Sequence, residues 1–386
     1  MAAAVRRGSA LRAVARRFHV SVRTVHVWVE RAAGRRLDQV DWRGRAPGCR
    51  VAPNRTPAEI EHRILQLRDT LRHESILGEY GAATIHTTLQ ATTASPVPAI
   101  RTISRILVRH GRVDRRQRVR RPPPPPGWYL PEVAAHRAEV DLFDVLEDLK
   151  LARGPLIDVL TGVSLHGGLP AAWPLRTATT SRILPCLRTH WQAVGCPAFA
   201  QFDNDTRFQG AHQHPDVFGR VVRQCLQLGI TPVFVPPREF GLQNPIEHFN
   251  GLFTAKVWRR FFFPSLAALH QHTLHYLTAR RARLAARIGS APPRAPWSAA
   301  SRFRPAVLPA GRVIFVRRTT ARGTVELLGH TWPVDRAWCH RLVRVEVALG
   351  AEESTCTCYA LRRSAPTEQP LLAMWPYRYP RGPIAP

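Results

Sequence analysis

Two stretches decide the fold of this chain: Ala198-Phe-Ala-Gln-Phe-Asp-Asn-Asp-Thr-Arg-Phe208 and Asn244-Pro-Ile-Glu-His-Phe-Asn250. The first is apolar around Phe199 and turns polar at Asp203, which predicts a buried strand that ends in a carboxylate. The second opens a run in which apolar residues recur at helical spacing, namely Ile246, Phe249, Phe253 and Val257. We therefore expect a strand and a helix that each present polar groups beside a shared apolar core.

Carboxylates accompany both elements, and a third lies upstream. Glu247 falls on the helix face opposite the apolar one, so a rigid element fixes its position. Asp141, in the strand-like run Ala138-Glu-Val-Asp-Leu-Phe-Asp-Val145, shares a face with apolar residues and needs a partner. Three such acids form a cage suited to Mg²⁺ or Mn²⁺, and two ions could promote phosphoryl transfer. Alternatively, each acid is separately a solvated surface residue.

These motifs resemble those of the DDE transposases and integrases with a retroviral-integrase-type catalytic core, and in particular bacterial insertion-sequence transposases of the IS481 and IS3 type. Asp141 resembles the first acid of that family, and Asp203-Asn204 resembles the second acid with its Asn. Glu247-His-Phe-Asn250 resembles the closing Glu-Arg-Phe-Asn motif. The resemblance implies that Asp141, Asp203 and Glu247 are catalytic and bind two metal ions, with Asn204 and Asn250 in support.

Some positions depart from the family pattern. Asp205 stands where Gly is usual, Arg207 where an acid is usual, and His248 where Arg is usual. The interval from Asp203 to Glu247 is also longer than is typical, with residues 209–216 as the expected extra loop. An inactivated copy is therefore a competing interpretation.

Composition favours a polyanionic partner. The 386 residues carry a formal net charge of +29, which suits DNA and predicts affinity that falls as salt rises. No apolar run approaches a membrane span and no signal-peptide core is present, so we expect a cytoplasmic protein, associated with the nucleoid when bound to DNA. The seven cysteines are scattered without paired spacing, which favours neither disulfides nor zinc.

The N-terminal region, residues 1–54, predicts a helix-turn-helix followed by a basic connector. One apolar helix face ends near Phe18, Ser21 is a candidate N-cap, and a second apolar face follows. This second helix would direct Arg23 and His26 toward the DNA major groove. His19 occupies the turn position where Gly is more usual, and two unrelated amphipathic helices would give a similar pattern.

A second helical DNA-binding unit, of helix-turn-helix or winged-helix type, is predicted over residues 55–112. It begins with a capping box at Thr56-Pro-Ala-Glu59. It ends in a helix with a basic stripe of Arg101, Arg105 and Arg109 opposite an apolar face. An Arg- and Pro-rich linker at 113–132 follows, with a stiff proline run at 122–126.

The resemblance implies an α/β RNase H-like core with a mixed five-stranded sheet over residues 133–290. Short β-type runs at 312–317, 324–328 and 342–347 then predict a small SH3-like barrel over 306–362. Cys356 and Cys358 alternate onto one face of a further expected strand. The Pro-rich tail, 363–386, is expected to be disordered.

Together these observations predict a transposase or integrase that binds mobile-element ends and target DNA and acts as a homo-oligomer on DNA. It would use Mg²⁺ for strand cleavage and strand transfer. The alternatives are a DNA-binding protein without enzymatic activity and an RNase H-like nuclease, which would lack end-specific N-terminal modules. The terminal repeats and the target preference are not encoded in any of these motifs.

Overall fold

The computed structural model describes residues 1–43, 56–92, 96–113, 125–152, 154–210, 215–236, 239, 241–298, 303–304, 310–350 and 353–378. The expected proline run at 122–126 and the extra loop at 209–216 fall partly outside these residues. The described chain divides into two compact units, Met1–His62 and Arg63–Pro386. None of its helices combines the length and the hydropathy that a bilayer span requires.

The first unit is built from three short helices around Val25, which is fully buried. They are α1 (Ala2–Arg6), α2 (Leu11–Arg17) and α3 (Val22–Ala32), and a 3₁₀ turn, Leu37–Gln39, follows. Ser21 caps α3 as expected, because its hydroxyl accepts the Thr24 amide at 3.0 Å. His19 has a φ of 52°, so the turn keeps the left-handed geometry that favours glycine.

Three further helices precede the sheet: α4 (Ala58–Glu74), α5 (Ala82–Thr92) and α6 (Ile100–Arg109). The apolar side of α6 is buried, whereas Arg101 and Arg105 are exposed. The turn between α4 and α5 is fastened to the core, since the Lys256 ammonium donates to the Gly78 carbonyl at 2.7 Å. Arg260 adds hydrogen bonds to the carbonyls of Ser75 and His73.

The core begins after the short helix α7 (Pro131–Ala134). Its strands are β1 (Val140–Lys150), β2 (Leu156–Ser164), β3 (Pro170–Leu175), β4 (Phe199–Phe202) and β5 (Thr231–Phe234). Their order is β5-β4-β1-β2-β3, with β1 to β3 antiparallel and β1, β4 and β5 parallel. This mixed sheet is compatible with the expected RNase H-like core.

Helices cover both faces of the core sheet. One face packs against α8 (Thr180–Val194) and α10 (Arg220–Gln227), which flank the short α9 (Thr206–Gln209). The other packs against α11 (Asn244–Phe253), the π-helical turn Thr254–Trp258 and α12 (Leu266–Arg283), which α13 (Ala285–Gly289) follows. The four residues of the predicted apolar face, from Ile246 to Val257, are all buried.

The C-terminal strands extend the core sheet, which corrects the prediction of a five-stranded sheet followed by a separate barrel. They are β6 (Gly311–Arg318), β7 (Thr324–Leu327), β8 (His330–Pro333), β9 (Leu342–Leu349), β10 (Ser354–Ala360) and β11 (Leu371–Tyr377). Because β6 pairs in parallel with β5, the sheet has nine strands, and β7 and β8 form a separate hairpin. Strand β11 also shows that the tail is ordered as far as Tyr377.

Candidate active site

Asp144 lies on the face of β1 that packs against α11. Its Oδ2 accepts a hydrogen bond from the Asn250 carboxamide at 2.7 Å, and Asn250 Oδ1 accepts the Thr161 hydroxyl at 2.7 Å. Burial raises the pKa of Asp144 above its ordinary value despite the hydrogen bonds from Val145 and Asn250, and the nearby Glu247 carboxylate raises it further. Asn250 thus ties this acid to the helix that carries Glu247.

Asp203 directly follows β4 and is half-buried. Burial raises its pKa to about 6, and the carboxylates of Asp144 and Asp205 contribute in the same direction. The Asp205 amide donates to Asp203 Oδ1 at 3.1 Å. Since β1 and β4 are adjacent parallel strands, Asp144 and Asp203 lie near the same end of the sheet.

Glu247 is exposed in the first turn of α11, one helical turn before Asn250. It is close enough to act on the ionisation of Asp144. Among the described residues, no three acid, histidine or cysteine side chains are near enough to form a ready-made metal cage. The site is therefore a cluster of two half-buried acids with an exposed glutamate at its rim.

Asp141, the residue expected as the first acid, lies outside this cluster. It is 1% exposed and lies on the opposite face of β1, where the Arg294 guanidinium contacts both carboxylate oxygens. The Trp191 indole donates to Asp141 Oδ2 at 3.1 Å, and His190 Nε2 lies 3.7 Å from the same oxygen. Burial alone would raise the pKa of Asp141, but these partners outweigh it and lower the pKa.

Two departures from the family pattern compensate each other. The Arg207 guanidinium donates to both oxygens of Asp205, and the Arg207 amide donates to Asp205 Oδ1 at 2.7 Å. Asp205 is thereby the N-cap of α9. Arg207 also lies 2.7 Å from a Glu147 carboxylate oxygen. The negative charge that Asp205 adds beside Asp203 is therefore largely balanced by Arg207.

The acid cluster has the donor chemistry of a site for a hard divalent cation. The Asp144 carboxylate raises the pKa of Asp203, so a cation placed between the two acids would relieve their repulsion. Arg207, the guanidinium that acts to lower the pKa of both acids, is already bound to Asp205 and Glu147. Asn250 holds Asp144 in position without adding charge.

Several solved structures are similar to this chain. The HTLV-2 integrase catalytic core in complex with magnesium has 13% identity and a TM-score of 0.24, covering 30% of this chain and 67% of that one. The BIV integrase catalytic core has 16% identity and a TM-score of 0.28, covering 36% and 81%. A simian T-cell lymphotropic virus intasome in complex with a PP2A regulatory subunit has 15% identity and a TM-score of 0.34, covering 72% and 88%.

Likenesses of such low identity and TM-score carry no information about the activity of this chain. No protein-family model and no curated protein matches it.

The candidate DNA-binding residues lie on exposed helix surfaces. Arg23 and His26 project from α3, where His26 lies 3.6 Å from Glu30 one turn later. Arg101, Arg105 and Arg109 are exposed on α6, opposite its buried apolar side. Asn204 follows Asp203 at the end of β4 and is half-buried.

Proposed function

We propose that this protein is a metal-dependent DNA strand-transfer enzyme of the transposase or integrase type, with Asp144, Asp203 and Glu247 as its acidic residues. The observation that carries the proposal is that Asp144, which Asn250 of α11 holds by a hydrogen bond, lies close enough to Asp203 to raise the pKa of Asp203. Asp144 replaces Asp141 in this assignment, because Arg294 and Trp191 occupy both Asp141 oxygens.

Asp144, Asp203 and Glu247 would hold Mg²⁺ or Mn²⁺, with two ions proposed. Metal ions bound by carboxylates activate an attacking oxygen and stabilise a leaving oxygen in phosphoryl transfer. Asn250 orients the Asp144 carboxylate, and the Thr161 hydroxyl fixes the Asn250 carboxamide in turn. Arg207 neutralises Asp205, so that the net negative charge stays on the proposed ligands.

The helical parts of the chain would deliver DNA to this site. Arg23 and His26 on α3 would recognise mobile-element ends as part of a helix-turn-helix, and Arg101, Arg105 and Arg109 on α6 would contact phosphates. The large net positive charge supports DNA as the partner. We further propose homo-oligomers on DNA, a cytoplasmic location and kinship with insertion-sequence transposases.

The deciding experiment incubates purified protein with the DNA that flanks its own gene in the presence of Mg²⁺. Asp144→Asn, Asp203→Asn and Glu247→Gln should each reduce strand cleavage and transfer by about a hundredfold or more, because each removes a ligand charge and little volume. Binding of the same DNA should be retained.

The matched control is Asp148→Asn, the same substitution on the same strand at an exposed position. Asp148 has a φ of 55°, which asparagine also tolerates, so this variant should stay active. Full DNA binding without any metal-dependent cleavage in the unmodified protein would favour the alternative, a DNA-binding protein without enzymatic activity.

A further inference from the structure

A pocket opens beside the acid cluster, and the C-terminal strands build part of it. Its volume is about 360 Å³, within the range of small-ligand sites. It is lined by two carboxamides, one guanidinium and the β7–β8 hairpin, through Asn204, Gln209, Arg317 and residues 326–331. We call it the hairpin pocket.

Parallel pairing brings these residues together. Phe202 on β4 pairs with Phe234 on β5, which pairs with Phe315 on β6. Asn204 and Arg317 each lie two residues further along the chain, so both lie at the carboxyl ends of the parallel strands β4 and β6, which flank β5. Crevices outside such strand ends are where α/β sheets bind ligands. The extension of the sheet by β6 therefore adds a cationic residue to the end that carries Asp203.

Arg317 is a guanidinium without a carboxylate partner among the described residues. It is half-buried and donates to the carbonyl of Val316 at 2.9 Å, with a longer contact to Phe234 O at 3.4 Å. Burial lowers the pKa of Arg317 to about 10, and no neighbouring acid offsets this effect. Glu326 also lines the pocket, but its side chain is exposed to solvent. A buried cation of this kind suits an anionic ligand.

Gln209 provides an independent sign that a ligand belongs in this pocket. The residue is 6% exposed, and its Oε1 has no hydrogen-bond partner among the described residues. A buried amide oxygen without a partner costs free energy unless a bound group satisfies it. Carboxamides offer both a donor and an acceptor, the pairing that matches the edge of a nucleobase.

We propose that the hairpin pocket binds one unpaired nucleotide of the DNA strand next to the reacting phosphodiester. Arg317 holds its phosphate, and the carboxamides of Asn204 and Gln209 contact the edge of its base. This inference rests on the proposed function, since it presumes that DNA reaches Asp203. The pocket is too small to admit a double helix, whose major groove alone is about 12 Å wide, so the nucleotide enters as a single strand.

The test compares two fluorescent DNA probes, a blunt duplex and the same duplex with a short single-stranded tail. Binding is measured by anisotropy in EDTA, so that no strand is cut. The unmodified protein should prefer the tailed probe by about tenfold, the scale of one charge-assisted hydrogen bond. Arg317→Met and Gln209→Glu should each remove that preference, the first by deleting the cation and the second by replacing the carboxamide that contacts the base with a carboxylate that has no N–H donor.

Arg322→Met is the matched control, because Arg322 is exposed and does not line the pocket. This variant should keep the preference for the tailed probe. If the unmodified protein binds both probes equally, or if both pocket variants keep the preference, the assignment of the pocket is overturned. If the unmodified protein binds neither probe, the proposed function itself fails.

Discussion

Asp141 and Asp144, both on β1, give opposite predictions for stability, and Asp141→Asn separates them. The substitution keeps the shape of the side chain but removes the charge that faces Arg294. The Arg294 side chain is 15% exposed and that of Asp141 is 2% exposed, so solvent screens this pair little. Arg294 would be left as a buried cation without a counter-charge.

Breaking a buried ion pair from one side costs about 3–5 kcal/mol. Folded domains have net stabilities of about 5–15 kcal/mol, so Asp141→Asn should remove a large fraction of the stability of this protein. The Trp191 indole and one Arg294 N–H can still donate to the asparagine oxygen, which places the expected cost toward the lower end of the range. Asp144→Asn should instead leave stability unchanged or raise it, since the ionised form of Asp144 is disfavoured where it lies.

Urea unfolding followed by tryptophan fluorescence measures the difference, because Trp191 lies beside Asp141. The pH dependence has a definite sign. The folded protein lowers the pKa of Asp141, so the ionised carboxylate stabilises the fold at pH values above the ordinary aspartate pKa. That stabilisation is lost as the pH falls through the lowered pKa. The difference in free energy of unfolding between the unmodified protein and Asp141→Asn should therefore be largest at neutral pH and should shrink only in strong acid.

A matched control applies the same substitution to an exposed pair. Asp69 lies 3.6 Å from Arg112, and both side chains are about half exposed at 51% and 46%. Asp69→Asn should cost at most about 1 kcal/mol. The reasoning is refuted if Asp141→Asn unfolds at the same urea concentration as the unmodified protein but loses Mg²⁺-dependent strand transfer. Asp141 would then be the metal ligand and Asp144 would not.

Three further predictions concern other parts of the chain. Arg101→Ala combined with Arg105→Ala should weaken binding to all DNA sequences alike and reduce the salt slope of the binding constant by about two, whereas unchanged slopes would exclude these residues as phosphate contacts. In a double-mutant cycle, Asp205→Gly and Arg207→Gln should show a coupling free energy of about 0.5 kcal/mol or more in urea unfolding, and strictly additive effects would contradict their pairing. Gly78→Ala should destabilise the fold by about 1 kcal/mol or more in the same assay, because Gly78 has a φ of 56° and an added Cβ would lie 2.7 Å from Cδ of Lys256. An unchanged free energy of unfolding would mean that the turn is not held as described.

Much of the fold could be predicted from sequence patterns. Helix α11 was predicted from apolar residues at helical spacing, and Asp203 was expected at the end of a strand. The choice between Asp141 and Asp144 could not be made in this way. Both faces of β1 are apolar, with Leu142 on one and Phe143 on the other, so alternation does not show which face meets α11.

The partner of Asp141 also could not be predicted from local sequence patterns. Asp141 was expected to need a partner, but Arg294 is 153 residues away along the chain. Strands β6, β7, β9 and β10 were expected from the sequence, whereas β8 and β11 were not. The pairing of β6 with β5 was also missed, because strand pairing depends on contacts between the two strands and not on either sequence alone. Arg317 was missed for the same reason. A basic residue at the end of a strand was the available signal.

The pairing of β6 with β5 has a practical consequence for the design of truncated fragments of this protein. A fragment that stops near residue 298 would lose β6 and the strands beyond it, so β5 would become an edge strand paired only with β4. Val233 and Phe234, both fully buried, would then line an open row of backbone amides and carbonyls. Such rows pair readily with other chains, so this fragment should aggregate during expression. A soluble fragment that contains the candidate site therefore has to retain the chain as far as Tyr377.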